Sequence, residues 1–520
     1  MTIATTANTK ATPLEAALAN ARYCAFQLGD LAAAEQHYQN ALAINANNFE
    51  ALVGIGQLLC RRHQRKKGKS FLEKAAKLLL RRADKAEPSM LLDLAEQLRQ
   101  WGSIETALQL YRATLKRSPQ SVPAQLGLAS CLHRLNQTNL ALQLLSKGSQ
   151  SHRNDAAYQL QLAILEIEQK QHATAKKRLQ DIIDNESNES RYRARAHLEL
   201  ARIYDKTGEY DHVFPALENA AQLNQKQLEH SAFDKNEIFK KIEQFKVGFD
   251  NELLLRWNAE QLAEGLPIPV FLMGFLRSGT TLVEQALSAH PDILTSDENT
   301  LINELSNELT RLSGIHGDTP SALNAINLEQ AKKLRQFYWQ RVEEEYAAAT
   351  LKHVFINKTA LNSIEIGLIS CLFPEAKIIF ALRDPRDVCL SCAMQAFTPS
   401  PATVNLMTWQ GIAREYAAVM NLWLHLRKRI APEYYELRYE DTITQFETSL
   451  GQILHLIGLS WHPNVARFHD NAARKYIATP SFADVSKPIY RDALERWKHY
   501  QDQFSTVAPF LKPIIKALDY

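Results

Sequence analysis

Val270-Phe-Leu-Met-Gly-Phe-Leu-Arg-Ser-Gly-Thr-Thr281 decides how the second half of this chain folds. Val270–Met273 is a short apolar run of the kind buried in a parallel sheet, and Pro-Ile-Pro at 267–269 punctuates the chain just before it. A glycine-containing loop follows, and helical spacing resumes from about Thr280 to Ala289. Glycines 274 and 279, placed between a strand and a helix, suit a cradle whose backbone N–H groups and helix start face an anion. A nucleoside-triphosphate loop would carry Lys where Thr280 stands, so the cation that reaches terminal phosphates is missing. Arg277 sits inside the loop instead, with Ser278, Gly279, Thr280 and Thr281 beside it. That set suits one phosphate joined to a second small anion. The alternative is an ordinary strand-to-helix turn.

Further strand candidates lie downstream at Ile293–Thr295, Val354–Ile356, Ile378–Leu382 and Tyr434–Leu437, separated by helical stretches. This alternation predicts an α/β domain with a central parallel sheet. In Ile378-Ile-Phe-Ala-Leu-Arg-Asp-Pro-Arg-Asp-Val-Cys-Leu-Ser391 a strand ends at Arg383, Pro385 opens a helix, and Ser391 lies about two turns along it. An Arg–Asp surface cluster is the competing reading, since Asp384, Arg386 and Asp387 are adjacent. Together with the first loop, the segment implies a nucleotide bearing anions at both ends.

Arg277-Ser-Gly-Thr-Thr-Leu282, followed by Ala289-His-Pro-Asp292, resembles the 5′-phosphosulfate loop of sulfotransferases in the form found in protein-tyrosine sulfotransferases. Arg383 and Ser391 resemble that family's 3′-phosphate site. The resemblance covers about residues 266–520. It implies a P-loop-like fold, PAPS (3′-phosphoadenosine 5′-phosphosulfate) as co-substrate, 3′,5′-ADP as product and no metal. The family's catalytic glutamate falls 21 residues after the loop arginine, at Glu298, with Asp297 as the nearby substitute. Lys358, in Asn357-Lys-Thr359, matches the lysine that joins Arg277 at the leaving oxygen. Ser481 and Lys487, ahead of Leu494 and Trp497, resemble the closing segment, Ser481 at the transferring group and Lys487 at the nucleotide phosphate. Tyr439 matches a tyrosine near the nucleotide, whereas His353, the base of the small-molecule branch, precedes its strand and reads as structural. Two positions depart from the pattern. Leu276 replaces the usual proline, and Thr300 stands where the animal tyrosine enzymes place the arginine that grips acidic residues, with Glu304 one turn later.

Residues 13–250 are dense in Ala, Leu, Gln, Lys and Arg at helical spacing, after a flexible terminus at 1–12. Ala95 and Ala107, Ala129 and Ala141, and Ala163 and Ala175 form pairs that recur every 34 residues. Antiparallel helices meet closely only where both side chains are small. The period and the order Gly102, Ala107, Tyr111, Pro119 resemble the tetratricopeptide repeat (TPR), and a generic helical bundle would not keep this register. Gly29, Ala34, Tyr38 and Ala41 suggest an earlier copy, Gly56 and Gly68 a degenerate one, and Ala201, Gly208, Leu217 and Ala220 a later one. Such α-helical solenoids commonly hold a peptide or protein in a concave groove. The expected layout is a TPR array at 13–250 followed by a PAPS-dependent sulfotransferase domain at 251–520, similar to bacterial cytoplasmic fusions of the two.

Composition bounds the partners. Lys+Arg total 60 against 57 Asp+Glu, a net charge of +3, which gives the whole chain no reason to bind nucleic acid. The basic run 61–69 reads as a solvated surface. The polar N-terminus has no signal-like core, and no apolar run is long enough for a membrane span, so a cytoplasmic protein is expected. Cys389-Leu-Ser-Cys392 has the spacing of a redox or metal pair but no second pair, and reads as packing inside its helix. Three functions remain open: sulfation of a hydroxyl, tyrosine among the candidates, on a protein recruited by the repeats; the same chemistry on a carbohydrate, lipid or small metabolite, with the repeats serving homo-oligomerisation; and a TPR scaffold whose second domain binds nucleotide without turnover.

Overall fold

Small side chains set the spacing of the N-terminal helices. The computed structural model describes residues 12–228, 233–296, 298–346, 354–469, 489 and 491–520. Its contacts divide the chain into two compact units, residues 1–145 with 344–346, and residues 146–343 with 347–520. In the first, α1 (Pro13–Tyr23) starts at a capping box of Thr12 and Glu15, and α2 (Leu31–Ile44) at Asp30, whose carboxylate accepts from Ala32 and Ala33. α3 (Phe49–Arg61), α4 (Arg65–Leu80), α5 (Pro88–Gln100), α6 (Ile104–Arg117), α7 (Val122–Arg134) and α8 (Thr138–Gly148) continue the hairpins. Ala95, Ala107, Ala129 and Ala141 are fully buried at the crossings. Gly56 and Gly68 play the same part for α3 and α4, where a Cβ on Gly68 would lie 2.7 Å from the Gly56 carbonyl oxygen.

Adjacent hairpins lock through a different pair. Tyr111 is fully buried, and its ring lies where a Cβ on Gly127 would approach to 2.3 Å. Gly127→Ala is therefore expected to destabilise the chain by about 1–3 kcal/mol through overpacking, against the gain of about 1 kcal/mol that Ala normally brings to a helix. Urea unfolding of the variant measures the sign.

In the second unit, α9 (Ala156–Glu168), α10 (His172–Asp184), α11 (Ser190–Thr207) and α12 (Val213–Leu228) keep the hairpin pattern, with Ala163, Ala175 and Ala201 fully buried. α13 (Glu237–Gly248) and two short turns, α14 (Asn251–Leu254) and α15 (Ala259–Leu262), lead into the sheet. Among the described residues five parallel strands, β1 (Val270–Gly274), β2 (Ile293–Thr295), β3 (Val354–Lys358), β4 (Lys377–Leu382) and β5 (Glu433–Arg438), stand in the order β2-β3-β1-β4-β5. Each lies within two residues of the run expected from sequence, β2 at the same bounds. Lys358, expected just after its strand, is the last residue of β3.

Strand order turns about β1. β3 lies on one side of it and β4 on the other, with Phe271 opposite both Asn357 and Ile378. In an open parallel sheet this reversal opens a crevice at the carboxyl ends of the strands. Gly274, Lys358 and Arg383 all stand at those ends. Below them Leu272, Val283, Leu287, Ile356, Ile379 and Leu437 fill the core. The connecting helices are α16 (Thr280–Leu287), α17 (Leu301–Ser313), α18 (Thr319–Ala325), α19 (Leu328–Tyr346), α20 (Ile366–Leu372), α21 (Pro385–Ala393) and α22 (Trp409–Leu426). Among the described residues no helix is long and apolar enough to cross a membrane.

Candidate active site

The turn between β1 and α16 is held open by its neighbours. Fully buried Phe275 anchors it, Ser363 donates to the Gly274 carbonyl at 2.6 Å, and the ring of Tyr439 packs beneath Gly279. Gly279 has φ +96°, and a Cβ there would lie 2.6 Å from the Tyr439 ring, so the position demands glycine twice over. Arg277 also has a left-handed backbone, φ 67°, a strain of about 1–3 kcal/mol for a residue with a side chain. α16 begins with no side-chain cap, so its first N–H groups face the turn, and the hydroxyl-bearing Ser278, Thr280 and Thr281 are buried around them.

The junction between β4 and α21 closes on this turn. Arg277 Nε donates to Ser391 Oγ at 3.0 Å, and Arg383 Nη1 donates to the Arg277 carbonyl at 3.2 Å. Arg383 Nη2 holds the Ala493 carbonyl at 2.6 Å, and its guanidinium lies 4.6 Å from the Tyr439 ring centre. The buried Nε of Arg383 has no hydrogen-bond partner among the described residues. A buried guanidinium N–H left open in this way is a ready donor to an anion.

Lys358 is fully buried and donates to Glu298 Oε1 at 2.8 Å, while the Glu298 side chain is 42% exposed. One end of the pair is thus fixed and the other open to solvent. The Glu298 loop is pinned by a polar network. Ser296 Oγ accepts from the Lys358 backbone at 2.9 Å and from Asn299 Nδ2 at 2.7 Å, and Asn299 Nδ2 also reaches Asn357 Oδ1 at 2.9 Å. Asn357 in turn donates to the Tyr338 hydroxyl at 3.1 Å.

Residues 269–463 match the sulfotransferase family. Residues 98–165 match the tetratricopeptide repeat. An uncharacterized protein of Aquifex aeolicus is 24% identical over 419 residues, covering 78% of this chain and 53% of that one. Protein-tyrosine sulfotransferase 2 of Gallus gallus is 24% identical over 244 residues, 44% of this chain and 62% of that enzyme. The chain thus spans less than two thirds of these curated relatives. The sulfotransferase domain from the Synechococcus PCC 7002 olefin synthase aligns at 20% identity with a TM-score of 0.32, over 45% of this chain and 87% of that one.

The sulfotransferase-like domain therefore brings together Arg277, Ser278, Gly279, Thr280, Thr281, Arg383, Ser391 and Tyr439, with Glu298 and Lys358 as a second pair on the loop after β2 and the end of β3. Ser481, Lys487, Asp297 and His353 lie outside the described residues. Asp384 and Asp387 are buried rather than parts of a surface cluster. Asp387 accepts from the backbones of Glu495 at 2.8 Å and Trp497 at 2.9 Å, and burial pushes its carboxyl above the usual range against the pull of Arg383. Nothing in the local pattern marks Asp387 as an anchor, since its partners lie more than 100 residues away. The Asn299–Asn357 contact was equally hidden. Cys389 and Cys392 are buried free thiols, and burial holds the Cys392 thiol up at about 12, as packing residues require.

Proposed function

We propose that residues 251–520 transfer a sulfuryl group from PAPS to an acceptor hydroxyl. The observation that carries this reading is the meeting of Arg277 with Ser391 at 3.0 Å and with Arg383 at 3.2 Å, which joins the two anion elements into one cradle. The residues fit a nucleotide charged at both ends. Buried hydroxyls and an uncapped helix start stand on one side, and the open Nε of Arg383 with Ser391 on the other. When bound, PAPS supplies the activated sulfuryl group. Ser278, Gly279, Thr280 and Thr281 hold its 5′ end, and Arg383 and Ser391 its 3′-phosphate. Tyr439 braces both by packing on Gly279 and on the Arg383 guanidinium.

Glu298 takes the proton from the acceptor hydroxyl as the new oxygen–sulfur bond forms. Arg277 and Lys358 neutralise the charge that grows on the departing phosphate oxygen as the old bond breaks. Positioning and electrostatics of this sort supply most of the catalysis in transfers of anionic groups. On the family resemblance, Ser481 would serve the transferring group and Lys487 the nucleotide phosphate; both lie outside the described residues. The repeats recruit the acceptor, a protein or peptide.

One observation bears on the acceptor. Glu304 Oε1 accepts from Thr300 at 2.8 Å, and its Oε2 pairs with the buried Arg341 at 2.8 Å. Thr300 thus stands where the animal tyrosine enzymes carry an arginine, and Arg341, the arginine held beside it through Glu304, is buried and already paired. This favours acceptors without acidic flanks, a carbohydrate, lipid or small metabolite among them.

Radiolabelled PAPS, offered to the full chain with neutral and acidic tyrosine peptides, sugars and phenols, tests both readings. Label is expected on a hydroxyl acceptor, with acidic peptides no better than neutral ones, and calorimetry is expected to detect 3′,5′-ADP. Absence of nucleotide binding removes the enzyme reading. Binding without transfer to any class leaves the scaffold.

A further inference from the structure

Arg383 owes its open Nε to the way its other two nitrogens are spent. Nη1 holds the Arg277 carbonyl and Nη2 the Ala493 carbonyl, so the guanidinium plane is set by one contact on the loop and one on the C-terminal segment. That second contact is only as firm as the segment, which the domain grips from two sides.

On the sheet side, Asp387 accepts the backbone N–H groups of Glu495 and Trp497, and the Arg386 guanidinium lies 3.6 Å over the Trp497 ring. Glu495, between these anchors, has φ 56°, a strained backbone that persists only where its surroundings enforce it. On the other side stands α11 of the helical hairpin α11–α12. Asp205 in its last turn accepts from Arg496 Nη2 at 2.5 Å and from the Tyr500 hydroxyl at 2.6 Å. The Tyr210 ring, just past α11, stacks on His499 at 4.0 Å. Arg202 of α11 donates to the carbonyl of Met394, the residue that caps α21, the helix carrying Ser391. Tyr500 is 2% exposed and the Asp205 side chain 11%, so these are not solvated surface pairs of negligible worth.

We propose that Asp205 is a positioning residue for the nucleotide site: by clamping Arg496 and Tyr500 it fixes Ala493, and through Ala493 it holds Arg383 with Nε directed at the 3′-phosphate. The inference rests on the PAPS reading above. It makes the last helical hairpin a working part of the transferase, beyond any part in recruiting an acceptor. Loss of the clamp frees the strained segment, and Arg383 then spends part of its time turned away from the anion.

The test is calorimetric titration of the full chain with 3′,5′-ADP. Asp205→Ala is expected to raise Kd about tenfold, the worth of one charged hydrogen bond, at unchanged stoichiometry. Asp205→Asn keeps an acceptor for Tyr500 and is expected to recover part of the loss. A role confined to stability would instead lower the stoichiometry and leave Kd alone, and that outcome overturns the proposal. Should Asp205→Ala fail to fold, Tyr500→Phe, which deletes a single hydroxyl, decides: a Kd raised several-fold supports the clamp, and an unchanged Kd removes it. Arg383→Ala is the control. If it abolishes binding while Asp205→Ala matches the wild type, the clamp is wrong and the nucleotide reading stands. If Arg383→Ala binds normally, the nucleotide reading falls and takes the clamp with it.

Discussion

Glu298→Gln is expected to lower the turnover number by about 10²–10⁴-fold, the usual worth of a placed general base, and to leave the Kd for 3′,5′-ADP unchanged. The split follows from position. Glu298 sits on the loop after β2, while the proposed nucleotide cradle is built from the β1–α16 turn and the β4–α21 junction. Glutamine retains an oxygen for Lys358, so the fully buried ammonium keeps a polar neighbour at 2.8 Å and the loop stays anchored through Ser296 and Asn299. Alanine would be a poorer choice, because it takes away the hydrogen-bond acceptor facing Lys358 along with the charge. Glutamine removes the charge and the capacity to accept a proton together, while keeping the side chain's size and an oxygen within reach of Lys358. Steady-state kinetics with labelled PAPS, paired with calorimetry on the same preparation, reads both numbers. Turnover within a factor of about two of the wild type would take Glu298 out of the chemistry. A parallel rise in Kd would mean that it serves binding.

The strands and the turn between β1 and α16 were legible because their signals are local. Short apolar runs give β1, bounded by Pro269 and Gly274, and β2, which follows Pro291, and the switch from helical to strand period near Leu266 separates the sheet from the helices before it. Repeated alanines at a 34-residue interval give the hairpins, since close helix crossing is a constraint on each repeat by itself. The working contacts of the site are of another kind. Arg383 reaches Ala493, and Asp387 reaches Glu495 and Trp497, across more than 100 residues. Asp205 reaches Tyr500 across 295. No periodicity encodes such partners, and a run such as Arg383-Asp-Pro-Arg-Asp387 reads equally well as a surface cluster until burial is known. The loop arginine shows the same limit at shorter range. Residue type marks Arg277 as an anion ligand, but its left-handed backbone appears only once Gly279 and Tyr439 have closed the turn.

Burial also makes Glu415 the centre of a pH effect that its helix conceals. Glu415 lies on α22 and is fully buried, near Asn405 and Cys392. Asn405 relieves it slightly, but among the described residues neither carboxyl oxygen has a partner at hydrogen-bonding geometry. Removal from water therefore raises its pKa from 4.5 to about 8. The folded chain thus keeps a proton that the unfolded chain gives up above pH 4.5. Stability is lost as pH rises between these two values, by about 1.4 kcal/mol per pH unit, and the loss levels off above about pH 8 at a total on the order of 5 kcal/mol. Glu415→Gln removes the titration. Its stability relative to the wild type is expected to climb steadily from pH 5 to pH 8 and then hold constant. Any fixed cost of burying the amide shifts that curve without changing its slope. Urea midpoints for both proteins at half-unit intervals from pH 5 to 9 give the difference directly. A difference that stays flat across the range would mean that Glu415 is ionised in the folded chain and that an unrecognised cation or water pays for its burial.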